Sequence, residues 1–291
     1  MTFRDTLINT NSWLQYYRTR WQQARRYAHL PTPNHGWPVL LGISFPKSGT
    51  NLLRQVLAAF TQAGPFADRS FDVFAAFDAR TGAALGGQDA LRFLNRLNPG
   101  DIAAAHFHTW PEALQEALTP RYLPYFMYRD PRDVVVSHVF YVTDRAQEHA
   151  HHQYYKEVLT TFDERLRTSI LGRPEIDIDF PDIGKRFEPY LGWLDHPEVL
   201  SQRYEDYIQN REQAIAQAVD HFLARVGTLT YSRADLMKMV EQNIIPEKSP
   251  TFRSGKTGEW QKYFNEEHKQ LFKAAAGEIL IRLGYEQDNS W

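Results

Sequence analysis

Three short segments of the chain combine basic, hydroxyl and glycine residues in a way that suits an anionic ligand. They are PKSGTN at residues 46–51, RDPRDVVVSH at residues 129–138 and FRSGKTGEW at residues 252–260. Backbone N–H groups at a helix start bind phosphate, and glycine lets the backbone approach it closely. In the first segment the lysine precedes the glycine, the reverse of the loop that binds ATP with Mg²⁺. This order leaves open a modified ATP loop, a simple turn, or a site for another nucleotide.

Each segment also has a purely structural interpretation. Lys47 would then be a surface lysine beside a capped helix start, and Arg129 a solvated arginine. Ser137 would bond to its own helix, and residues 252–260 would form a surface loop. The charged neighbours in the second segment would be surface charges or a helix cap: Asp130, Arg132 and Asp133. The fold around the segments must decide between the two interpretations.

Alternating strand and helix patterns surround the three segments. Strands are predicted where apolar runs suit a sheet buried on both faces: residues 38–45, 101–107, 122–128 and 198–206. Helices are predicted at residues 13–28, 48–61, 111 onward, 131–142, 208–226, 233–242 and 266–283. This alternation indicates a single α/β domain, with a central parallel β-sheet of about four to five strands flanked by helices. Ligands of such sheets bind outside the carboxyl ends of the strands, where the first two segments lie.

Residues 1–36 are predicted to form an amphipathic helical segment that packs on a domain of residues 37–291. Trp13, Tyr17, Trp21 and Ala28 share one stripe of the predicted helix. The sequence PTPNHG then breaks the chain before the first strand. The same stripe, with arginines beside it, also suits peripheral contact with an anionic membrane, which is the weaker alternative.

Composition excludes several classes of protein. The chain has 33 Lys and Arg against 35 Asp and Glu, so nothing favours a nucleic-acid partner. It has no cysteine, which excludes disulfides and thiolate chemistry and fits a reducing compartment. The N-terminus lacks the apolar core of a signal peptide, and no stretch approaches the ~20 apolar residues of a membrane-spanning helix. We therefore expect a cytoplasmic protein.

Taken together, the three segments resemble the signature set of the cytosolic-type sulfotransferases. PKSGT follows the first predicted strand, R-x-P-x-D-x-x-x-S follows a later one, and R-x-G-x-x-G-x-W lies near the C-terminus, in the family's order. The stretch WLDHPEVLSQRYED, from Trp193 to Asp206, also resembles a block of that family. The similarity runs from about residue 38 to 265. It implies the P-loop-NTPase-like sulfotransferase fold.

The resemblance implies the donor 3′-phosphoadenosine 5′-phosphosulfate (PAPS) and the product adenosine 3′,5′-bisphosphate (PAP). It implies a 5′-phosphosulfate site made by Lys47, Ser48, Gly49, Thr50 and Asn51. It implies a 3′-phosphate site made by Arg129, Ser137, Arg253, Ser254 and Gly255, with Tyr204 at the adenine. The leaving group already has a cationic partner in Lys47, so no metal is expected.

A histidine base is implied as well, and AAAHFHTW offers two candidates. Alternation along a strand places His106 and His108 on the same face, so the sequence does not separate them cleanly. His106 aligns better and is the predicted base, with His108 as the alternative and with Lys47 and Ser137 in the catalytic set. Neutral imidazole accepts a proton near pH 7, while Lys47 stabilises charge on the leaving phosphate. The structural interpretation is a pair of hydrogen-bonded histidines.

The chain departs from the family pattern at three places. Leu52 stands where many members have a tryptophan that stacks on adenine, and Ser254 replaces a lysine. The family's dimer motif is not evident in residues 263–271, so we expect a monomer or a weak dimer.

The acceptor site lies between the matched segments and is less well defined. Aromatic residues there suit a partly apolar small-molecule acceptor, although most are expected in the core: Phe66, Phe71, Phe74, Phe77, Phe93, Tyr154 and Tyr155. His149, His151 and His152 suit a metal site less well than an exposed loop or frayed helix beside the acceptor pocket. Two other functions stay open: a P-loop kinase or NTPase that uses Mg-ATP, and a non-catalytic nucleotide-binding module.

Overall fold

A six-stranded sheet, in which every pair of strands is parallel, forms the centre of the protein in this computed structural model. The structure describes residues 3–173, 178, 180–227, 229–249, 253 and 255–291, with side chains from residue 10 onward. The strands are β1 (Val39–Ser44), β2 (Ala67–Asp68), β3 (Phe74–Ala75), β4 (Asp101–His106), β5 (Tyr122–Tyr128) and β6 (Leu200–Arg203). Their order is β2-β4-β1-β5-β6, and β3 also pairs with β4. The four longer strands confirm the predicted ones, and the two-residue strands β2 and β3 were missed.

Helices cover both faces of the sheet, as predicted for an α/β domain. They are α1 (Phe3–Arg26), α2 (Thr50–Ala58), α3 (Gly87–Asn95), α4 (Pro111–Ala117), α5 (Pro131–Phe140), α6 (Phe162–Leu171), α7 (Ile183–Phe187), α8 (Tyr204–Gln209), α9 (Arg211–Val226), α10 (Arg233–Asn243), α11 (Trp260–Tyr263) and α12 (Glu266–Arg282). Short 3₁₀ turns (Ala59–Gln62, Glu188–Asp195, Pro246–Lys248) and π turns (Tyr141–Arg145, Tyr154–Val158) connect some of them. Among the described residues, no helix combines the length and apolar character needed to cross a bilayer.

Alternation along β1 explains its unbroken apolar sequence. Val39, Leu41 and Ile43 face one apolar core, which includes side chains of α5 and α12. Leu40 faces the second core, which includes side chains of α2, α9 and α10. Because both faces of the strand are covered, both sets of positions are apolar.

Glycine at position 42 lets α2 pack tightly on β1. A Cβ atom there would lie 3.0 Å from Cδ1 of Leu57 and 3.2 Å from Cδ2 of Leu53. Both leucines are buried on α2. This close packing fixes the start of α2, and with it the loop at residues 45–49, at the carboxyl end of β1.

Helix α1 packs through a different stripe from the predicted one. The hydroxyl of the buried Tyr16 donates to Oδ1 of Asp101 (2.6 Å), which also accepts from Arg20 (2.6 Å). Tyr17 and Trp21, which the prediction placed with Trp13 on one stripe, are each 61% exposed. The packed stripe runs through Tyr16 because its hydroxyl reaches the buried carboxylate of Asp101 at the start of β4. The assignment of residues 1–36 as a separate segment stays a prediction.

Candidate active site

The carboxyl ends of β1, β4 and β5 border one large cavity of about 850 Å³. It is lined by most of the residues that the sequence singled out: Lys47, Gly49, Thr50, Asn51, His106, His108, Arg129, Ser137, Tyr204, Arg253 and Gly255. Ser48 is buried within the first loop, and Ser254 lies outside the described residues. The fold therefore brings segments from distant parts of the sequence to one place.

The loop between β1 and α2 has a backbone shape suited to an anion. Lys47 has a φ of 70° and Gly49 a φ of 102°, so left-handed residues flank Ser48. Gly49 precedes α2 and supplies no side-chain cap to it. The hydroxyl of Ser48 is fully buried and has no hydrogen-bond partner among the described residues. Helix N–H groups and an unpartnered hydroxyl form a set of donors that fits a phosphate or sulfate group.

The side chains of Thr50 and Asn51, which follow the loop, also form hydrogen bonds. The hydroxyls of Thr50 and Ser44 lie 2.7 Å apart and join the start of α2 to the end of β1. Oδ1 of Asn51 accepts from Arg54 (3.3 Å). The contact between Ser44 and Thr50 therefore ties the two ends of the loop together, while the Asn51–Arg54 bond lies within α2.

Lys47 reaches into the cavity with its ammonium group 3.7 Å from the centre of the Tyr141 ring. Burial, together with the charges of Arg129, Arg145 and Arg253, lowers the pKa of Lys47 to about 7. A bound anion would favour the ammonium form because its charge offsets those of the arginines. Lys47 is therefore not the solvated surface lysine of the structural interpretation.

His106, at the end of β4, is held in one orientation. Its Nδ1 lies 2.7 Å from the carbonyl oxygen of Ser44. A carbonyl can only accept, so Nδ1 carries the proton and Nε2 keeps its lone pair. Burial lowers the pKa of His106, the bond to Ser44 raises it, and the charge of Lys47 lowers it again. The net shift is downward, so the ring is a neutral base at pH 7.

His108 occupies a more apolar setting two residues later. Its ring centre lies 4.6 Å from that of Trp110 and 4.9 Å from that of Tyr190. None of the described residues hydrogen-bonds to its ring, and burial lowers its pKa to about 4. Both histidines line the cavity, but the hydrogen bond that fixes a tautomer is formed by His106.

Arg129 and Asp133 connect the second and third segments. Nη2 of Arg129 donates to Asp133 (3.1 Å) and to the carbonyl of Lys256 (2.8 Å). The Asp133 carboxylate also accepts from the backbone N–H groups of Gly258 (2.8 Å) and Trp260 (2.9 Å). Asp133 is 1% exposed, so its assignment as a surface charge is wrong. It holds the loop after α10 against the start of α5.

The two charges before Asp133 are also buried. Asp130 accepts from the backbone N–H of Arg132 (2.9 Å), which agrees with the helix cap in the structural interpretation. Arg132 pairs with Asp130 (2.8 Å) and lies over the rings of Trp260 (4.0 Å) and Trp291 (4.5 Å). The surface-charge interpretation is wrong for Arg132, because its long side chain is covered by two tryptophans.

The other residues that were predicted to contact the nucleotide lie in or beside the loop after α10. Arg253 pairs with Glu259 and lies 4.5 Å from the centre of the Phe140 ring. Gly255 adopts a left-handed φ of 64°. Tyr204 lies under the guanidinium of Arg129, at 4.7 Å from its ring centre. These contacts place an aromatic ring beside the arginine of the second segment.

The histidine-rich stretch is less exposed than predicted. His151 is fully buried, stacks on Phe77 (ring centres 6.0 Å apart) and has no hydrogen bond to its ring among the described residues. Burial is the main cause that lowers the pKa of His149 to about 4, and its side chain lines the cavity. The exposed-loop prediction is therefore wrong for His151. No group of metal-ligating side chains occurs among the described residues.

Sequence reasoning missed several residues that line the cavity. His138 lines the cavity, and its Nδ1 lies 2.9 Å from the hydroxyl of Ser169. Lys185 and Arg186 line it from α7. Of the aromatic candidates, Phe77 lines the cavity, whereas these are buried in the cores: Phe66, Phe74, Phe93 and Tyr155. Helix α7 gives no sequence signal of its own because it spans five residues.

A comparison with known families decides the assignment. A sequence model described as the sulfotransferase domain matches residues 38–284. The chain belongs to the sulfotransferase family. The resemblance seen at the three anion-binding segments is thereby confirmed, and the match continues through the whole of α12. A search of curated proteins gave no significant match.

Solved structures share the sulfotransferase fold over nearly the whole chain. The crystal structure of mouse sulfotransferase SULT7A1 complexed with PAP is 16% identical, with a TM-score of 0.57, and the match covers 88% of this chain and 90% of that one. Retinol dehydratase in complex with androsterone and the inactive cofactor PAP is 16% identical, with a TM-score of 0.53 and coverage of 90% and 85%. Retinol dehydratase with retinol and PAP is 17% identical, with a TM-score of 0.51 and coverage of 90% and 86%. These likenesses confirm the predicted fold class.

Proposed function

We propose that this sulfotransferase domain transfers the sulfuryl group of PAPS to a hydroxyl or amine of a small, partly apolar acceptor and releases PAP. One observation carries the proposal. An oriented, neutral His106 and a phosphate-type loop with an unpartnered Ser48 hydroxyl lie at the ends of neighbouring strands beside one cavity. The solved structures of similar fold contain PAP. The family assignment supports the reaction class.

The residues of the first loop fit the 5′ end of this donor. Gly49 leaves no space for a side chain, since a Cβ there would lie 2.7 Å from both Met127 and Tyr204. The buried Ser48 hydroxyl needs a hydrogen-bond acceptor, and an oxygen of the phosphate or sulfate group supplies one. We therefore assign the 5′-phosphosulfate to Lys47, Ser48, Gly49, Thr50 and Asn51.

The second and third segments fit the 3′-phosphate. Arg129, Ser137, Arg253 and Gly255 line the same cavity, and Arg129 donates to the backbone next to Gly255. Tyr204 is assigned to the adenine, with Leu52 as an apolar neighbour. Ser254, predicted in this set, lies outside the described residues.

The chain's own groups supply acid–base and electrostatic catalysis. PAPS supplies the transferable sulfuryl group: its S–O bond to phosphate breaks as an S–O or S–N bond to the acceptor forms. Nε2 of His106 takes the proton of the acceptor while Ser44 holds Nδ1–H. Lys47 and the N–H groups of the loop stabilise the charge that develops on the phosphate oxygen. Ser137 is assigned both to the 3′-phosphate and to the catalytic set.

A transfer assay with labelled PAPS over a panel of phenols, alcohols and amines tests the proposal. Lys47→Ala and His106→Ala should each lower the rate by about 10²- to 10⁴-fold. PAP without Mg²⁺ should raise the melting temperature, because a ligand that binds the folded state stabilises it. Stabilisation by Mg-ATP and not by PAP would instead favour a kinase or NTPase. Equal cellular activity of both variants would favour a non-catalytic nucleotide-binding module.

The assembly and location of the protein stay predictions. We propose a monomer or weak dimer, because residues 263–271 lack the family's dimer motif. A cysteine-free chain fits a cytoplasmic location. Peripheral membrane contact through residues 13–28 is the weaker alternative, although Tyr17 and Trp21 are exposed. Sedimentation and vesicle binding would test these points.

A further inference from the structure

The cavity is far more positive than the protein as a whole. The chain has a formal net charge of -2. Cationic side chains nevertheless line the cavity from several elements: Lys47, Arg54, Arg129, Lys185, Arg186, Arg211 and Arg253. Among the described lining residues there is no Asp or Glu. The proposed donor accounts for Lys47, Arg129 and Arg253, which leaves other cations to be explained.

Arg186 is a cavity cation on the acceptor side whose charge is not met by an ion pair with a described residue, although the carboxylate of Asp182 acts on it from further away. Most other cations of the cavity form such an ion pair: Arg129 pairs with Asp133, Lys185 with Asp182, Arg211 with Glu241 and Arg253 with Glu259. Arg186 forms no ion pair with a described residue. Its Nη2 donates to the carbonyl of Ser169, and its buried Nε has no hydrogen-bond partner among the described residues.

The surroundings of Arg186 are apolar and aromatic. Its guanidinium carbon lies 4.2 Å from the centre of the Phe180 ring. Burial lowers the pKa of Arg186 to about 10, and the nearby Tyr155 and Asp182 side chains offset this lowering only in part. A buried charge that lacks a counter-ion is destabilising, so an anion that enters the cavity would gain a strong, charge-assisted hydrogen bond.

Helix α7 is placed close to the reacting groups. Phe187, next to Arg186, stacks on Phe45 with ring centres 4.4 Å apart. Phe45 lies immediately before residues 46–51, the segment assigned to the donor and called the donor loop below, and it also packs against Tyr190 (5.2 Å). Tyr190 in turn packs on His108 (4.9 Å). The cavity lining therefore continues from the two histidines, along an aromatic wall, to Arg186.

We propose that Arg186 is a specificity-determining residue that binds an anionic substituent, of the carboxylate type, on the acceptor. The acceptor is then a small molecule with an apolar middle, a hydroxyl or amine that reaches His106, and a negative group that reaches α7. This inference rests on the proposed function for the identity of the second substrate. The planar guanidinium suits a carboxylate, which it can bind through two parallel hydrogen bonds.

Matched pairs of probes separate charge from shape. The pairs are 4-hydroxyphenylacetate, 6-hydroxyhexanoate and 6-aminohexanoate, each compared with its methyl ester. Binding to the protein with saturating PAP is measured by calorimetry, and transfer from PAPS is measured as kcat/KM. We expect at least one carboxylate to bind about 10- to 100-fold more tightly than its ester, as for a hydrogen bond between charged groups.

Three variants identify the residue responsible. Arg186→Gln should abolish the preference for the carboxylate and leave the ester unchanged, and Arg186→Lys should retain part of the preference. Arg173→Gln is the matched control: Arg173 lies over the ring of Tyr154 (3.2 Å) and is not among the cavity-lining residues, so the preference should persist. PAP binding should be the same in all three variants.

Several results would overturn the inference. These are equal binding of acid and ester in every pair, no binding of any acid, or equal weakening of both by Arg186→Gln. Arg186→Gln could also lower the melting temperature and leave the selectivity unchanged. That result would mean that the arginine serves a carboxylate of the chain itself. Three acidic residues close to it in sequence, Glu175, Asp177 and Asp179, lie outside the described residues. Failure of the proposed function has a different signature, namely no PAP binding and no transfer to neutral acceptors.

Discussion

Nδ1 of His106 lies 2.7 Å from the carbonyl oxygen of Ser44, the last residue of β1. This bond joins the ends of two neighbouring strands, one followed by the donor loop and the other ending in the candidate base. It fixes the ring so that the protonated nitrogen faces the backbone. The same bond therefore sets both the tautomer of the base and its position relative to the loop.

Replacing His106 by alanine should abolish most of the catalysis without loss of nucleotide binding. We expect kcat to fall by about 10²- to 10⁴-fold, because general-base catalysis contributes on that order. The dissociation constant of PAP should change little, since the imidazole is assigned to the acceptor. Steady-state kinetics and calorimetry on one protein preparation check the two parts.

His108→Ala is the matched control for that experiment, because both histidines line the cavity. A loss of rate confined to His108→Ala would reassign the base. The acid limb of the pH profile adds a second check. Since the pKa of His106 is lowered, chiefly by burial, activity should fall only below the ordinary value of 6.5.

Lys47 should make PAP binding depend on pH. Burial and the charges of three arginines lower the pKa of Lys47 to about 7, and a bound phosphate would raise it. Binding then takes up a proton above pH 7, so the affinity is highest below pH 7 and falls as the pH rises from 7 to 9. Calorimetry at several pH values measures this slope. In Lys47→Met the slope should be shallower, and an unchanged slope would remove Lys47 from the explanation.

The main strands were predictable because of how they are buried. β5 coincides with the predicted residues 122–128, since a strand covered on both faces needs an unbroken apolar sequence. β2 and β3 contain two residues each, too few to produce a pattern. The stripe of α1 was misplaced because Tyr16 packs through a hydrogen bond to Asp101, which hydropathy does not reveal.

The sequence predicted which types of residue line the cavity better than it predicted the contacts between them. Glycine, hydroxyl and basic residues identified the loops, because an anion cradle requires those types. The partners of Asp133 lie 125 and 127 residues away, so their hydrogen bonds depend on the tertiary fold. The sequence likewise does not show the carbonyl of Ser44, whose hydrogen bond distinguishes the ring of His106 from that of His108. Arg186 lies on a five-residue helix that no periodicity marks.

Asp133 should be important for stability as well as for the loop after α10. Asp133→Ala leaves two backbone N–H groups and Arg129 without their shared acceptor. We expect the free energy of unfolding to fall by about 3 kcal/mol, as when one partner of a buried pair is removed. Urea denaturation measures the change, and PAP affinity should also decrease because Arg129 loses its anchor.

Asp220→Ala provides the comparison for Asp133→Ala. Asp220 pairs with Arg233 at an exposed position, where solvent screening leaves an ion pair with little effect on stability. Similar losses of stability in the two variants would mean that the loop is not held by Asp133.

Gly49→Ala should disrupt the donor loop for two separable reasons. The residue has a φ of 102°, and a Cβ would lie 2.7 Å from Sδ of Met127 and Cδ2 of Tyr204. Gly36 also has a left-handed φ, of 76°, but a Cβ there would have nothing within 4 Å. Gly36→Ala therefore measures backbone strain alone, on the order of 1 kcal/mol.

In Gly49→Ala we expect a larger loss of stability and a PAP affinity at least ~10-fold weaker, since displacing Tyr204 costs on the order of 1.4 kcal/mol or more. Equal effects of the two substitutions on stability and PAP binding would show that close packing under the loop does not shape the nucleotide site.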